Sequence, residues 1–228
     1  TRLSLQSKIV LTMTLFLLTL GTVGFYLLEH HNPATMGTLN AAGKFQAAFF
    51  QSVTTRTAGF ASISQSGLTN GSKLLACMLM IVGGSPAGTA GGIKTTTVAV
   101  LLLTAISVLR GNKDTECYGR KITFEIIRVA ITITLVTFVF WLFGVTVMTV
   151  IEPQQKVLDL MFEATSAMAT VGLTVDLTPV LSDISHVVLM LMMYIGRIGP
   201  MTMALIFSGH VDKKNKFRTL PEAKIMVG

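Results

Sequence analysis

Four long apolar stretches constrain this chain more than any other feature of its sequence. They cover residues 7–28, 71–110, 122–151 and 184–208, and the second is broken near its middle by GGSPAGTAGGIK. A helix needs about 20 mostly apolar residues to cross a bilayer. Only 13% of the residues are charged, which is too little polar surface to cover the core of a soluble domain. The sequence therefore predicts an all-α integral membrane protein and argues against a soluble enzyme or a disordered chain.

The basic residues indicate how these stretches are oriented. Lys and Arg concentrate around the start of the first stretch, between the second and third, and after the fourth. Cytoplasmic loops carry such an excess, so we expect the connections 29–70 and 152–183 to be external. The net charge of +7 then needs no nucleic acid as a partner. Cys77 and Cys117 lie in an apolar run and in a charged segment, so no disulfide framework is expected.

Each external connection contains a short apolar stretch, 43–55 and 156–170, that is too short to span and predicts a re-entrant half-helix. A glycine-containing segment follows each one, TAGF and TVGL. The two parts of the chain match at five positions with one shift of 113 residues, which indicates duplication. The matched pairs are Phe49 and Phe162, Thr57 and Thr170, Gly59 and Gly172, Gly83 and Gly196, and Thr89 and Thr202.

Such a duplicated unit favours a cation. A half-helix that enters from outside points its carbonyl end toward the bilayer centre. Non-helical backbone is tolerated at that depth where it lines an enclosed hydrated path, and its carbonyls can replace the hydration shell of an ion. Glycine permits the backbone angles needed, and the hydroxyls of Thr57 and Thr170 offer further oxygen atoms. The alternative is a membrane-embedded turn that binds no ion.

The break in the second apolar stretch is a candidate gate. Its glycines and proline cannot sustain a regular helix. We therefore expect a polar loop over 83–93 at membrane depth, beneath the ion-selecting filter that the two glycine-containing segments would form. A phosphate-binding loop is disfavoured because Ile93 precedes the lysine and no strand precedes the loop. The candidate gate residues of the loop are Gly83, Gly84, Ser85, Pro86, Gly88, Thr89, Gly91, Gly92 and Lys94.

Arg197 is a charge inside the fourth apolar stretch. Because it matches Gly84 in the duplication, we expect it at the level of the gate loop. There it would raise the barrier for a cation or bond the loop carbonyls with its planar fork. The alternative is a structural pairing with backbone alone.

Four segments in this order, SVTTRTAGF, GGSPAGTAGGIKTTT, SAMATVGLT and GRIGP, resemble the Trk/Ktr/HKT superfamily of potassium transporters. Within it, the chain is most similar to the KtrB-type membrane subunit of bacterial Ktr systems, over essentially its whole length. The resemblance implies a multi-pass protein of the bacterial plasma membrane with four repeats in pseudo-fourfold symmetry around a potassium-channel-like pore. This chain holds two, which resemble the third and fourth.

The resemblance also assigns residues to the filter and the gate. It implies that K+ binds to backbone carbonyls and that the intramembrane loop is the gate. A serine in place of a filter glycine accompanies sodium preference in the superfamily, so the two glycines here favour potassium. The implied filter residues are Thr57, Ala58, Gly59, Phe60, Thr170, Val171, Gly172 and Leu173.

The partners implied are the other half of the pore (first and second repeats), a homodimer of complete subunits, a cytoplasmic nucleotide-binding regulatory ring and the lipid bilayer. The missing half should come from an upstream segment or a separate fragment; homodimerisation around one pore ranks lower. No organic cofactor is expected, because ATP and ADP act on the ring. The expected division is 1–112 for the third repeat, 113–208 for the fourth, and 209–228 for a cytoplasmic tail. That tail could follow the membrane surface, bind a cytoplasmic partner or pack at a dimer interface.

No catalytic constellation stands out, so the chain is not expected to be an enzyme. Two further charges receive structural roles. Glu163 is expected to pair with a local donor or polar backbone rather than to bind the ion, and Arg56 to brace the pore-loop backbone rather than to meet the ion. The competing functions are a sodium-permeable or non-selective transporter of the same superfamily, a non-conducting scaffold, and a membrane enzyme or lipid-handling protein that uses the glycine-rich loop.

Overall fold

The helices follow the order of the apolar stretches. A computed structural model describes residues 3–86, 88, 90–112 and 114–199. Thr89, Thr202 and the tail 209–228 lie outside the described residues. A hairpin of β1 (Glu116–Cys117) and β2 (Arg120–Lys121) connects the fourth and fifth helices. The helices are α1 (Leu5–Glu29), α2 (Ala41–Thr54), α3 (Asn70–Ile81), α4 (Thr95–Leu109), α5 (Phe124–Ile151), α6 (Val157–Met168) and α7 (Asp183–Ile198), with a 3-10 turn at Thr178–Val180.

Two helices in the described part of the chain, α1 with 25 residues and α5 with 28, are long and apolar enough to cross a membrane. The second apolar stretch forms α3 and α4, of 12 and 15 residues, on either side of the predicted break. At a rise of about 1.5 Å per residue, neither alone reaches across a hydrocarbon core of about 30 Å. The two predicted half-helices correspond to α2 and α6.

A glutamate at the end of each long helix contacts the start of another α-helix: Glu29 joins α1 to α3, and Glu152 joins α5 to α7. Glu29 at the end of α1 is fully buried and accepts hydrogen bonds from the backbone N–H and the hydroxyl of Thr69, at 2.9 and 2.8 Å. Glu152, directly after α5, accepts from the N–H of Ser182 and the hydroxyl of Ser185, both at 2.8 Å. Thr69 and Ser182 are the N-caps of α3 and α7, so each carboxylate fixes the start of one of these helices, which we call the inner helices.

The main core surrounds α6. This helix packs against α3, α5 and α7, whereas α2 packs chiefly against α1. The aromatic side chains of the two half-helices differ accordingly: Phe162 on α6 is fully buried, but Phe49 on α2 is 46% exposed. An ion pair joins α3 to α6, with Lys73 Nζ 2.6 Å from Asp159 Oδ1.

Candidate functional site

The two threonine–glycine segments leave their half-helices in the same unusual backbone conformation. Thr57 and Thr170 have φ values of 68° and 54°, and Gly59 and Gly172 have φ values of 75° and 90°. The residue between them in each segment does not have a positive φ. Positive φ is a clear outlier for a β-branched residue. This alternation turns successive N–H groups to one side of the chain, and so turns successive carbonyls to the other.

Thr54 and Ser166, in the last turns of α2 and α6, hold these N–H groups. The carbonyl of Thr54 accepts the N–H groups of residues 58–59, both at 3.2 Å, and its hydroxyl accepts the N–H of Phe60 at 2.8 Å. Ser166 does the same for residues 171–172: its carbonyl accepts the first N–H at 2.9 Å and its hydroxyl the second at 3.2 Å. The segments are thus anchored through their donors.

The carbonyls of the same segments are left open. Apart from Arg197, none of the described residues donates a hydrogen bond to the carbonyls of 57–59 or 170–172. The two segments also touch, because the backbone of Gly59 lies against the carbonyl oxygen of Val171, and a Cβ at position 59 would overlap that oxygen. Glycine is needed there both for the positive φ and for the close approach. The six carbonyl oxygens of these two adjoining segments can replace the water around an alkali cation.

The two ends of the predicted gate loop, residues 82–84 and 93–95, lie side by side, and we call this part of the loop its neck. Val82 and Ile93 form a parallel β-bridge. The N–H of Gly83 donates to the carbonyl of Ile93 at 2.9 Å, and the N–H of Thr95 donates to the carbonyl of Gly84 at 3.2 Å. The ends of the loop are therefore pinned together by backbone hydrogen bonds, and the part beyond the neck is the segment from residue 85 to residue 91.

That segment contacts the second threonine–glycine segment, residues 170–173, which the sequence predicts to be part of the filter. The N–H of Gly91 donates to the hydroxyl of Thr170 at 3.1 Å, and a Cβ on Gly91 would overlap that hydroxyl. Gly92 follows with a φ of 69°. At the other side of the loop, Ser85, Pro86 and Gly88 make a turn in which the N–H of Gly88 donates to the carbonyl of Ser85 at 3.3 Å. The loop is thus joined directly to a filter threonine.

Two cationic side chains lie close to this contact. Lys94 donates from Nζ to the carbonyl of Ala90 across the loop. Arg197, in the last turn of α7, lines a cavity of about 600 Å³ together with all four residues of the second filter segment, 170–173. Lys94 and Arg197 are near enough to repel each other. The structure therefore brings Arg197 to the filter segment as well as to the base of the gate loop.

Arg56 and Glu163 have bracing contacts. Arg56 donates from Nη1 to the carbonyl of Thr14 and from Nη2 to the carbonyl of Gly83, both at 3.4 Å. It therefore links α1 to the neck of the gate loop. Glu163, 4% exposed on α6, accepts hydrogen bonds from the hydroxyls of Thr174 and Thr178 at 2.5 and 2.8 Å. These contacts hold the chain that returns from the second filter segment.

The sequence interpretation missed several residues that position the site. Thr54 and Ser166 anchor the filter segments, and Glu29 and Glu152 fix the inner helices. Only the N-caps to which the two glutamates bind, Thr69 and Ser182, follow a pattern that the sequence shows. TNGS and SDIS each place a Thr or Ser three residues before a Ser at a helix start. Within the described ranges, no group of three or more His, Cys, Asp or Glu side chains is placed to hold a metal ion.

The fold and the site define an all-α membrane protein of the cation-transporter class. Residues 3–218 match the family model of TrkH, described as a cation transport protein. The chain belongs to the TrkH family of cation transport proteins. As expected from the sequence, this is a family of transporters and not of enzymes.

Relatives and a solved structure agree with this assignment. The Ktr system potassium uptake protein B of Bacillus subtilis (strain 168) is 37% identical over 225 residues, covering 99% of this chain and 50% of the relative. The protein of the same name from Vibrio alginolyticus is 36% identical, covering 99% of this chain and 49% of the relative. The potassium/sodium uptake protein NtpJ of Enterococcus hirae is 34% identical, covering 100% of this chain and 51% of the relative. The crystal structure of the potassium transporter TrkH from Vibrio parahaemolyticus matches with a TM-score of 0.71 at 17% identity, covering 86% of this chain and 43% of that one. The chain thus spans about half the length of the relatives it matches.

Proposed function

We propose that this chain supplies two of the four repeats of a membrane pore that takes up K+ through a carbonyl selectivity filter. The observation that carries the proposal is the alternating φ in 57–59 and 170–172, with the N–H groups of both segments held by the half-helices. The third repeat lies within 1–112 and the fourth within 113–208. K+ as the cargo is supported by the names of the relatives, which are potassium uptake proteins. No organic cofactor is needed for this step.

The difference in burial between the two repeats supports a missing half. The inner helix α3 packs against α6, the half-helix of the next repeat, and this contact helps to bury Phe162. The equivalent Phe49 on α2 is 46% exposed, and Phe60 of the first filter segment is 72% exposed against 3% for Leu173. An inner helix of a second repeat would cover α2 as α3 covers α6. The first and second repeats are therefore the proposed partner at this face.

The remaining partners and the placement follow from the family. In this proposal, complete subunits form a homodimer in the bacterial plasma membrane and sit on a cytoplasmic nucleotide-binding ring. The filter faces the outside and the tail 209–228 the cytoplasm. The orientation rests on the three clusters of Lys and Arg that the sequence places on one side.

The proposed gate is the far part of the loop 83–93. Because its neck is pinned by backbone hydrogen bonds, we expect the segment 85–91 to move while residues 82–84 and 93–95 stay in place. In the closed state Gly91 is bonded to Thr170 below the filter, and the charges of Lys94 and Arg197 raise the energy of a passing cation. Opening requires the Gly91–Thr170 hydrogen bond to break.

A sodium-permeable transporter is the second candidate, because one relative is named as a potassium/sodium uptake protein. The two functions share the same pore and differ in the filter. The glycines at positions 59 and 172 favour potassium. Comparing the uptake of rubidium and sodium by the same preparation separates the two.

The test is growth of a potassium-uptake-deficient strain that expresses this chain together with the first and second repeats. The assembly is expected to restore growth at low potassium, and Gly59→Ala is expected to abolish it because the new Cβ overlaps the Val171 carbonyl. Gly119→Ala is the matched control, since Gly119 has φ of 73° against 75° and nothing within 4 Å of an added Cβ. Full growth with Gly59→Ala present in the membrane, or no growth with the unmodified assembly, contradicts the proposal.

A further inference from the structure

An apolar cavity of about 420 Å³ is lined by residues of α3 to α6 and of the gate loop, with no residue of α2 in its described lining. One wall is the middle of α5, from Ile131 to Trp141. The opposite wall is formed by Gly92 and Ile93 at the end of the gate loop, and by Met168 and Ala169 at the end of α6. The cavity is therefore bordered both by the gate loop and by α6, the half-helix that precedes the second threonine–glycine segment.

The cavity offers nothing to hold water. Three threonines line it, and the hydroxyls of Thr134, Thr137 and Thr165 each donate to the carbonyl four residues earlier, at 2.9, 2.8 and 2.6 Å. The indole N–H of Trp141 donates to the hydroxyl of Thr165 at 2.8 Å. A water molecule needs two to four polar partners, and large cavities without them stay dry and accept apolar ligands.

The outer rim of the cavity is continuous with an exposed apolar face of α5. Ile131, Leu135 and Phe138 are 51%, 63% and 53% exposed, and they lie on α5, which is long and apolar enough to cross a membrane. All the described residues that line the cavity belong to α3, α4, α5, α6 and the segments that adjoin them. The exposed face that we assign to the missing half of the pore is on a different helix, α2. With α5 across the membrane, this opening would face the hydrocarbon chains of the bilayer.

We propose that this cavity is a binding site for an acyl chain of a bilayer lipid. The chain would enter past Leu135 and Phe138 and end against Ile93, whose N–H and carbonyl both take part in the backbone hydrogen bonds at the neck of the gate loop. A bound chain fills a space that side chains leave open and supports the neck and the end of α6. The site goes beyond the proposed function, and its test does not depend on ion transport.

Trp141 is the single tryptophan of this chain and reports on the cavity. The assembly with the first and second repeats is reconstituted in phosphatidylcholine vesicles, either unmodified or brominated at mid-chain. The Trp141 signal is the difference in fluorescence between this assembly and the same assembly with Trp141→Phe. We expect brominated lipid to quench this signal.

Filling the cavity distinguishes a bound chain from lipid outside the protein. Thr137→Phe is expected to lose most of the quenching. Thr132→Phe is the matched control, because Thr132 is exposed on the same helix and makes the same kind of hydroxyl bond to a carbonyl four residues earlier; its quenching is expected to stay unchanged. If Thr137→Phe does not assemble, Thr134→Phe on the cavity wall replaces it.

Two results overturn the proposal. Quenching that is absent from the unmodified assembly means that protein, such as a second copy or residues 200–228, covers the cavity. Quenching that is equal in the filling and control variants means that lipid reaches the indole only from outside. Loss of growth rescue with quenching intact would count against the proposed function alone.

Discussion

The ion pair between Lys73 and Asp159 connects α3 to α6 at a partly desolvated position. The two charged atoms are 2.6 Å apart, and the side chains are 9% and 20% exposed. Lys73 lies in the first turn of α3 and Asp159 in the first turn of α6. The pair therefore fixes an inner helix against the next half-helix, and its loss should weaken the contact that buries α6.

The expected cost follows from burial. Removing one member of a buried pair costs roughly 3–5 kcal/mol, because the other charge stays desolvated without a partner. Since Asp159 keeps some contact with solvent, we expect about 3 kcal/mol for Lys73→Met and about the same for Asp159→Leu. The double variant leaves no unpaired charge and should cost no more than either single variant. The coupling energy, which is the sum of the two single costs minus the cost of the double variant, is then at least about 3 kcal/mol.

A second ion pair provides the control. Lys121 and Asp114 are also 2.6 Å apart, but their side chains are 62% and 48% exposed, and such pairs contribute less than about 1 kcal/mol. The same cycle of two single and one double substitution is made at both pairs. Denaturant unfolding of the solubilised assembly gives the free energies, and added salt should weaken only the exposed pair.

The result that refutes this reasoning is additivity at the buried pair. If the costs of Lys73→Met and Asp159→Leu simply add, the two charges do not interact, whatever their distance. An equal coupling energy at the buried and exposed pairs would also contradict the argument, because it would show that burial does not set the strength.

Three further predictions concern the gate and the external side. Gly91→Ala should raise K+ flux at saturating potassium, because its Cβ displaces the loop from the hydroxyl of Thr170; unchanged flux in a folded variant removes this contact from the gate. Arg197→Ala should also raise flux by removing a fixed positive charge beside the filter, and a flux assay that shows no change would exclude Arg197 from the barrier. Hydrogen bonds from Ser182 hold the pKa of Glu152 below its ordinary value of 4.5, so its stabilisation is present above pH 4.5 and is lost as the pH falls through the lowered pKa. Glu152→Gln should therefore lower the unfolding midpoint at neutral pH, and an equal loss under strongly acidic conditions would contradict this assignment.

Local sequence was enough to predict most of the elements. Apolar length predicted α1 and α5, and the glycines and proline predicted the break between α3 and α4. The short apolar stretches predicted α2 and α6 because length alone separates a spanning helix from a half-helix. The threonine–glycine segments were identified because glycine is the residue that tolerates positive φ.

Other features were decided only by the tertiary structure. The Lys73–Asp159 pair, the Glu29 cap of α3 and the Gly91–Thr170 contact each join residues that are 40 or more positions apart. Their side chains are common ones, and sequence spacing carries no information about which of them meet. Lys73, for example, is 86 positions from Asp159, the residue on α6 whose carboxylate it contacts.

The difference has a physical reason. Helix length, helix breaks and permitted φ depend on a few adjacent residues, so the sequence determines them by itself. Burial depends on which helix packs beside which, and this makes Phe162 part of the core while the matching Phe49 is exposed. Two copies of one local pattern thus acquire different surroundings, and only the packing of α3 against α6 tells them apart.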